Sequence, residues 1–230
     1  FEGLRFSPLE NLYGEDAADL SIHIDDQGFT GSGGFKTAQH DVQIDIRAVN
    51  DSPVLSRIET APLSFEENGD SVQVSANLEV SDSDGNIAGA SVKIVGHAPG
   101  DWLGIDVGPV AISGSYDPTT GILALTGDAT ALEYQELLRS VTYVSNSENP
   151  KTGTRSIVFR VNDGTGGAPA QSNEVSRQVA VAAVNDAPEI IAGSSATATE
   201  DTPLFFGIST GNEIAIIDLD KDLVEVDLSV

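Results

Sequence analysis

The sequence predicts an all-β protein built of tandem β-sandwich repeats, and three observations carry that prediction. A hexapeptide, Ala48-Val49-Asn50-Asp51-Ser52-Pro53, returns 135 positions later as Ala183-Val184-Asn185-Asp186-Ala187-Pro188. Each copy closes a run of alternating apolar residues: Val42, Ile44 and Ile46 before the first, Val175, Val179 and Val181 before the second. Period-two alternation marks a strand with one buried face. Turn residues then punctuate the rest at short intervals, as in Asp84-Gly85, Asp117-Pro118, Thr120-Gly121 and Asp163-Gly164. Proline cannot donate to a sheet ladder and biases the residue before it towards extended backbone. The hexapeptide therefore reads as a junction, written twice.

Taken in order, residues 1–50 read as the closing strands of one repeat. Leu4-Arg5-Phe6 opens with a short strand pattern, and Leu20, Ile22 and Ile24 continue with period two. Asp25-Asp26-Gln27-Gly28 turns, and a Gly31–Gly34 tip leads into the strand ending at Ile46. Residues 51–187 form a complete repeat. Its strands are expected around Leu78–Val80, Ser91–Val95, Ile122–Thr126, Leu138–Val144, Ser156–Val161 and Val175–Val184. Ile157, Phe159 and Val161 share one face, with Ser156, Val158 and Arg160 on the other. One stretch breaks the β pattern: Thr130-Ala131-Leu132-Glu133 has capping-box spacing, and Tyr134, Leu137 and Leu138 follow. A short helix of a turn or two is expected there.

Residues 188–230 read as the opening of a further repeat, because the copies align beyond the junction. Leu4-Arg5-Phe6 matches Val141-Thr142-Tyr143, and Ile24-Asp25-Asp26-Gln27-Gly28 matches Val161-Asn162-Asp163-Gly164. Phe65-Glu66-Glu67 matches Ala198-Thr199-Glu200-Asp201 loosely, and Asp82-Ser83-Asp84 matches Asp218-Leu219-Asp220. Each end segment carries apolar residues that need a partner: Leu4, Phe6, Ile22 and Ile24 in one, Leu204, Phe205, Ile214, Ile216 and Ile217 in the other. Head-to-tail pairing between molecules is the expectation. Phe1 and the absence of a charged-then-apolar leader point to an excised piece of a longer array.

Composition narrows the function classes. Hydrophobic residues make up 40% of the 230, enough for buried cores despite the charge. Eleven basic against 36 acidic residues leave a formal charge of −25. Nucleic acid and anionic membrane surfaces need clustered Lys and Arg, so both are excluded as partners. No apolar run approaches the ~20 residues of a membrane-spanning helix. With no cysteine, a disulfide scaffold and Cys-ligated zinc are excluded too. Self-repulsion of this size is relieved where cations neutralise part of it, and the acids are the first indication of a metal.

Calcium takes six to eight oxygens from carboxylates, amide or backbone carbonyls and water, so it needs acids from several segments. Asp82-x-Asp84 puts two carboxylates on one side of an extended chain, and Asp218-x-Asp220 repeats this. An EF-hand is excluded at both places: twelve-residue loops would end at Lys93 and Ser229, where that motif needs a bidentate Glu. In these residues the chain resembles the cadherin family, specifically the cadherin-like repeats of large secreted bacterial adhesins of the RTX type. The resemblance implies a cadherin-like or Ig-like β-sandwich repeat with calcium held between successive repeats.

It also implies which residues act as ligands. At the first junction these are Asn50 and Asp51 as linker, then Asp82 and Asp84, with Asp163 as a later-loop acid. At the second they are Glu66 or Glu67 as early acid, Asn185 and Asp186 as linker, then Asp218 and Asp220. The Asp-x-Asp pairs follow at intervals of 31 and 33 from Asp51, and of 32 and 34 from Asp186. The chain departs from the cadherin linker at Ala48 and Ala183, where the family has Asp, and at Ser52 and Ala187, where it has Asn. It lacks an Asp-Arg-Glu triplet in the full repeat. These losses point to one or two ions per junction rather than three.

The function expected is that of a calcium-stiffened spacer in a secreted or cell-surface adhesin, not an enzyme. Its partners would be the neighbouring repeats of the same polypeptide, with a cell-surface glycan or protein reached through other domains. His23, His40 and His97 lack partners at ligand spacing, and no nucleophile elbow or dinucleotide fingerprint is present. Gly31–Gly34 and Gly164–Gly167 follow strands without opening helices, so they are loop tips. The rival is a carbohydrate-binding module that grips a glycan with Trp102, Tyr116 or Tyr134; a third reading is a non-catalytic domain of a secreted hydrolase. Trp102, the single tryptophan, is expected to be buried in the sandwich.

Overall fold

A computed structural model describes residues 3–28, 31–83, 85–108, 111–164, 170–220 and 225–229. In chain order the strands are β1 (Gly14–Asp25), β2 (Thr37–Ile46), β3 (Val54–Ser56), β4 (Leu63–Glu66), β5 (Val72–Gln73), β6 (Glu79–Ser81), β7 (Ile87–Val95), β8 (Asp101–Gly104), β9 (Ser113–Asp117) and β10 (Ile122–Ala129). Helix α1 (Ala131–Arg139) follows, then β11 (Thr142–Ser145), β12 (Gly153–Asn162), β13 (Val175–Ala182), β14 (Glu189–Ala192) and β15 (Ile214–Ile217). The described residues are mostly β with one α-helix, in keeping with the alternation.

Two sheets enclose the core. The larger runs β4-β13-β12-β7-β10-β9 and the smaller β5-β11-β8, with the β3–β6 pair beside them. The hydrophobic core cluster draws its side chains from Leu55 to Val181. Ile157, Phe159 and Val161 are fully buried, while Ser156, Val158 and Arg160 on the other face are not. Phe65 of β4 packs edge-on against Tyr143 of β11, with ring centroids 5.5 Å apart. An ion pair is buried there: Arg155 Nε meets Asp101 Oδ2 at 2.6 Å, and the Tyr143 hydroxyl donates to Asp101 Oδ1 at 2.6 Å. Burial first, then Asp101, pushes the Tyr143 phenol well up.

The helix is longer than expected. Thr130 accepts from Glu133 N, and the Glu133 carboxylate accepts from Thr130 N, so the capping box closes in both directions. Tyr134, Leu137 and Leu138 form its buried stripe. Leu138 is therefore helical, and the strand expected from it begins only at Thr142. Two adjacent leucines satisfy either period, and the cap decides in favour of the helix. Leu4-Arg5-Phe6 is not a strand. The segment it matches in sequence, β11, is held between β5 and β8, and no strand flanks residues 4–6 among the described residues. The very short strands β3, β5 and β8 carry too few residues for periodicity to be read.

Trp102 is not buried. On β8 the side chains of Asp101 and Leu103 turn into the core, which leaves Trp102 on the opposite face, 41% exposed. It lies against Tyr116, with centroids 4.6 Å apart. Tyr134 is fully buried on the inner face of α1, so it offers no surface to a sugar.

Each end segment forms one antiparallel strand pair. In the β12–β13 hairpin Ile157 lies opposite Arg177 and Phe159 opposite Val175. In the β1–β2 hairpin Leu20 lies opposite Val42 and Ile22 opposite His40. Likewise Leu55 lies opposite Val80 in β3–β6, and Ile190 opposite Ile216 in β14–β15.

Candidate metal centre

The second junction gathers carboxylates from three segments. Strand β4 ends by alternation: Phe65 is buried, Glu66 faces solvent and Glu67 turns back inside, 4% exposed. The Glu67 backbone N donates to Ala182 O at 3.0 Å, and its Oε2 accepts from Val184 N at 2.8 Å. This tie holds the end of β13 and the linker against the end of β4. Glu67, Glu148 and Asp186 each place a carboxylate oxygen within 4.8 Å of the other two. Glu67 Oε1 and Asp186 Oδ2 are buried atoms without a hydrogen-bond partner. No Lys or Arg forms an ion pair with any of the three among the described residues.

The next acids stand beside this group. Asp186 N donates to Asp220 Oδ2 at 2.5 Å, and Asp220 N donates to Asp218 Oδ1 at 3.0 Å. Asn185 bonds the Asp186 carbonyl at 3.1 Å, and Asn149, next to Glu148, bonds the Leu219 carbonyl at 2.9 Å. The structure thus brings Glu67, Asp186, Asp218 and Asp220 to one junction and leaves Glu66 outside it.

At the first junction Asn50 Nδ2 donates to Asp163 Oδ2 at 2.8 Å, 113 residues away, and to the Asp51 carbonyl at 3.1 Å. Ser83 Oγ donates to Asp51 Oδ2 at 3.3 Å. Asp51, Asp82 and Glu10 line one open cavity with Asn11, Ser52 and Ser83. Asp84 lies outside the described residues.

Glu148 and Glu10 are absent from the sequence-predicted set, yet a signal for them exists. Ser145-Asn146-Ser147-Glu148-Asn149 and Ser7-Pro8-Leu9-Glu10-Asn11 share Ser-x-x-Glu-Asn, 138 positions apart. In both, the Glu-Asn pair lies in the loop that enters β12 or β1. This element repeats with the junctions and faces them.

The donor set suits a hard cation. All the groups are oxygens, none is a thiolate or imidazole, and two buried oxygens lack a proton donor. Uncompensated carboxylates this close repel, and burial strengthens the repulsion. A divalent ion that accepts irregular oxygen coordination, as calcium does, fits these residues better than magnesium with its strict octahedron.

No protein-family model matches the chain, and no curated protein matches it. Among solved structures, mouse cadherin-23 EC22-24 is similar over 74% of this chain and 44% of that one, at 15% identity and a TM-score of 0.30. The human desmocollin-1 ectodomain is similar over 74% of this chain and 28% of that one, also at 15% identity and 0.30. The likeness is weak, and the chain spans less than half of either structure. No helix is long and apolar enough to cross a membrane.

Proposed function

We propose that the chain is a run of extracellular spacer repeats, joined and stiffened by calcium at the 50–51 and 185–186 linkers, within an adhesin of the bacterial RTX type. The domain limits that go with this reading are 1–50, 51–187 and 188–230. The observation that carries it is Glu67: a buried carboxylate tied by one oxygen to the linker, its other oxygen unpartnered beside Glu148 and Asp186. Calcium would supply the positive charge that lets these acids sit together. Glu67 and Glu148 would hold it from the full repeat and Asp186 from the linker, with Asp218 and Asp220 bringing the following segment alongside. Without it, the carboxylates separate and the linker bends.

The test is thermal melting in EDTA and in millimolar calcium or magnesium. Ligand at a hundred times Kd stabilises the folded state by about 2.7 kcal/mol, so a rise of several degrees with calcium is expected and little with magnesium. Glu67→Gln should abolish most of that rise while leaving the EDTA curve unchanged or higher, because it removes repulsion. Glu66→Gln should behave as wild type. Identical wild-type curves in EDTA and calcium would sink the proposal.

One observation favours the sugar-binding reading: the exposed Trp102 stacked on Tyr116. Trp102 is the only tryptophan, so its emission reports that surface alone. A spacer should show no emission change across a panel of glycans, whereas a saturable shift with one glycan would support the module.

A further inference from the structure

We infer that Arg155 is a positioning residue for the candidate metal centre: it fixes both ends of the loop that carries Glu148 and so holds that carboxylate beside Glu67 and Asp186. The inference deepens the calcium reading and rests on it. Glu67 is buried and tied to the linker, but Glu148 is exposed and stands in the loop between β11 and β12, residues 146–152. A carboxylate oxygen of Glu148 nevertheless lies within 4.8 Å of both other acids. Like charges this close repel, and a loop acid free to turn would swing away into water. The frame of the loop has to oppose that.

Arg155 lies near the start of β12 with its side chain turned into the core. A guanidinium is a rigid fork whose donors point to different partners at once. Nη2 donates to the Lys151 carbonyl at 2.8 Å, on the far side of Glu148. Nε donates to Asp101 Oδ2 at 2.6 Å, and the same oxygen accepts from Ala98 N at 2.7 Å. The other Asp101 oxygen accepts from the Tyr143 hydroxyl, so the carboxylate is fixed from three sides. Gly100, next to it, offers its carbonyl to Asn146 N at 2.9 Å, on the near side of Glu148. One buried side chain thus grips the loop directly at Lys151 and, through Asp101, at Asn146. The fit at the near end is close: Gly100 sits at φ +93°, and a Cβ there would meet Ser147 Cβ at 2.8 Å. A buried ion pair is often no more stabilising than apolar side chains of the same volume. An apolar pair, however, could not hold the Lys151 carbonyl.

Calcium titration calorimetry on the full chain, paired with amide hydrogen exchange in EDTA, tests this. Arg155→Lys keeps a charge opposite Asp101, but a single ammonium cannot span Asp101 and the Lys151 carbonyl as the fork does. In EDTA its exchange should rise across residues 146–152 while β12 and β13 stay protected. Calcium affinity at the second junction, identified as the binding that Glu67→Gln removes, should fall about tenfold or more, the usual effect of losing a group that orients a metal ligand. In a Glu148→Gln background the same substitution should change calcium binding no further, because Arg155 acts through that carboxylate. A loss of equal size in that background would mark a general structural role and overturn the inference. Gly100→Ala crowds Ser147 from the near end of the loop and should lower the affinity too, which carries the test if Arg155→Lys does not fold. A wild type that binds no calcium at the second junction would defeat the calcium reading and this inference with it. Wild-type affinity and wild-type exchange in both variants, beside a wild type that does bind, would overturn this inference alone.

Discussion

Glu67 and Glu59 show two opposite fates of a partly or wholly buried carboxylate. Glu67 has one oxygen with no donor and belongs to a group of like charges. Glu59 is saturated. Partial burial pushes its carboxyl up, but bonds from Ser75 Oγ at 2.5 Å and Ala76 N at 2.9 Å, with Arg177 at 3.7 Å, outweigh this and hold it at about 2. A pKa lowered on folding stabilises above the unfolded value and loses that effect as pH falls through the folded one. Glu59 therefore contributes its full share above about pH 4.5 and loses it on acidification towards about pH 2. That share is on the order of 3 kcal/mol. Urea unfolding at a series of pH values should show a steeper acid loss in wild type than in Glu59→Gln, and parallel profiles would contradict the assignment.

At the scale of elements, the bulge in β10 decides how the larger sheet meets α1. The β7–β10 register shifts between Thr126 and Ala129, and Gly127 sits there at φ +145°. The Tyr134 hydroxyl donates to the Gly127 carbonyl at 2.6 Å, which ties the helix to the bulge. A Cβ at Gly127 would meet the Ala111 carbonyl oxygen at 2.3 Å, far inside contact distance. Gly127→Ala is expected to cost about 2–4 kcal/mol, from backbone strain and displacement of the 111–112 segment together. Chemical denaturation measures it; a loss under 1 kcal/mol would mean that the bulge relaxes freely.

For the whole molecule, the −25 charge and the two acidic junctions make stability depend on ions beyond the specific sites. In EDTA, the melting temperature should rise with sodium chloride as repulsion is screened, and protease should cut first at residues 183–188, exposed except at Asp186. In calcium the salt dependence should flatten and that cleavage should slow. Cleavage at the same rate in both buffers would count against the linker as the calcium-responsive segment.

The sequence by itself determined the all-β class, the strand alternation around Ile157, Phe159 and Val161, and the capping box at Thr130. It also determined the repeat that puts an acidic linker at positions 50–51 and 185–186. These are local patterns, or patterns that recur, and periodicity and spacing record them directly. Only the tertiary structure decided that Glu67 rather than Glu66 faces the linker, because β4 takes its alternation from lying parallel to β13. It alone brought Glu148 beside Glu67, from a loop some eighty residues on, and put Trp102 on the surface by turning Asp101 and Leu103 inward. It also showed that residues 4–6 form no strand, although their sequence matches one that does. A strand is completed by its neighbours, and neighbours distant along the chain leave no trace in a local pattern.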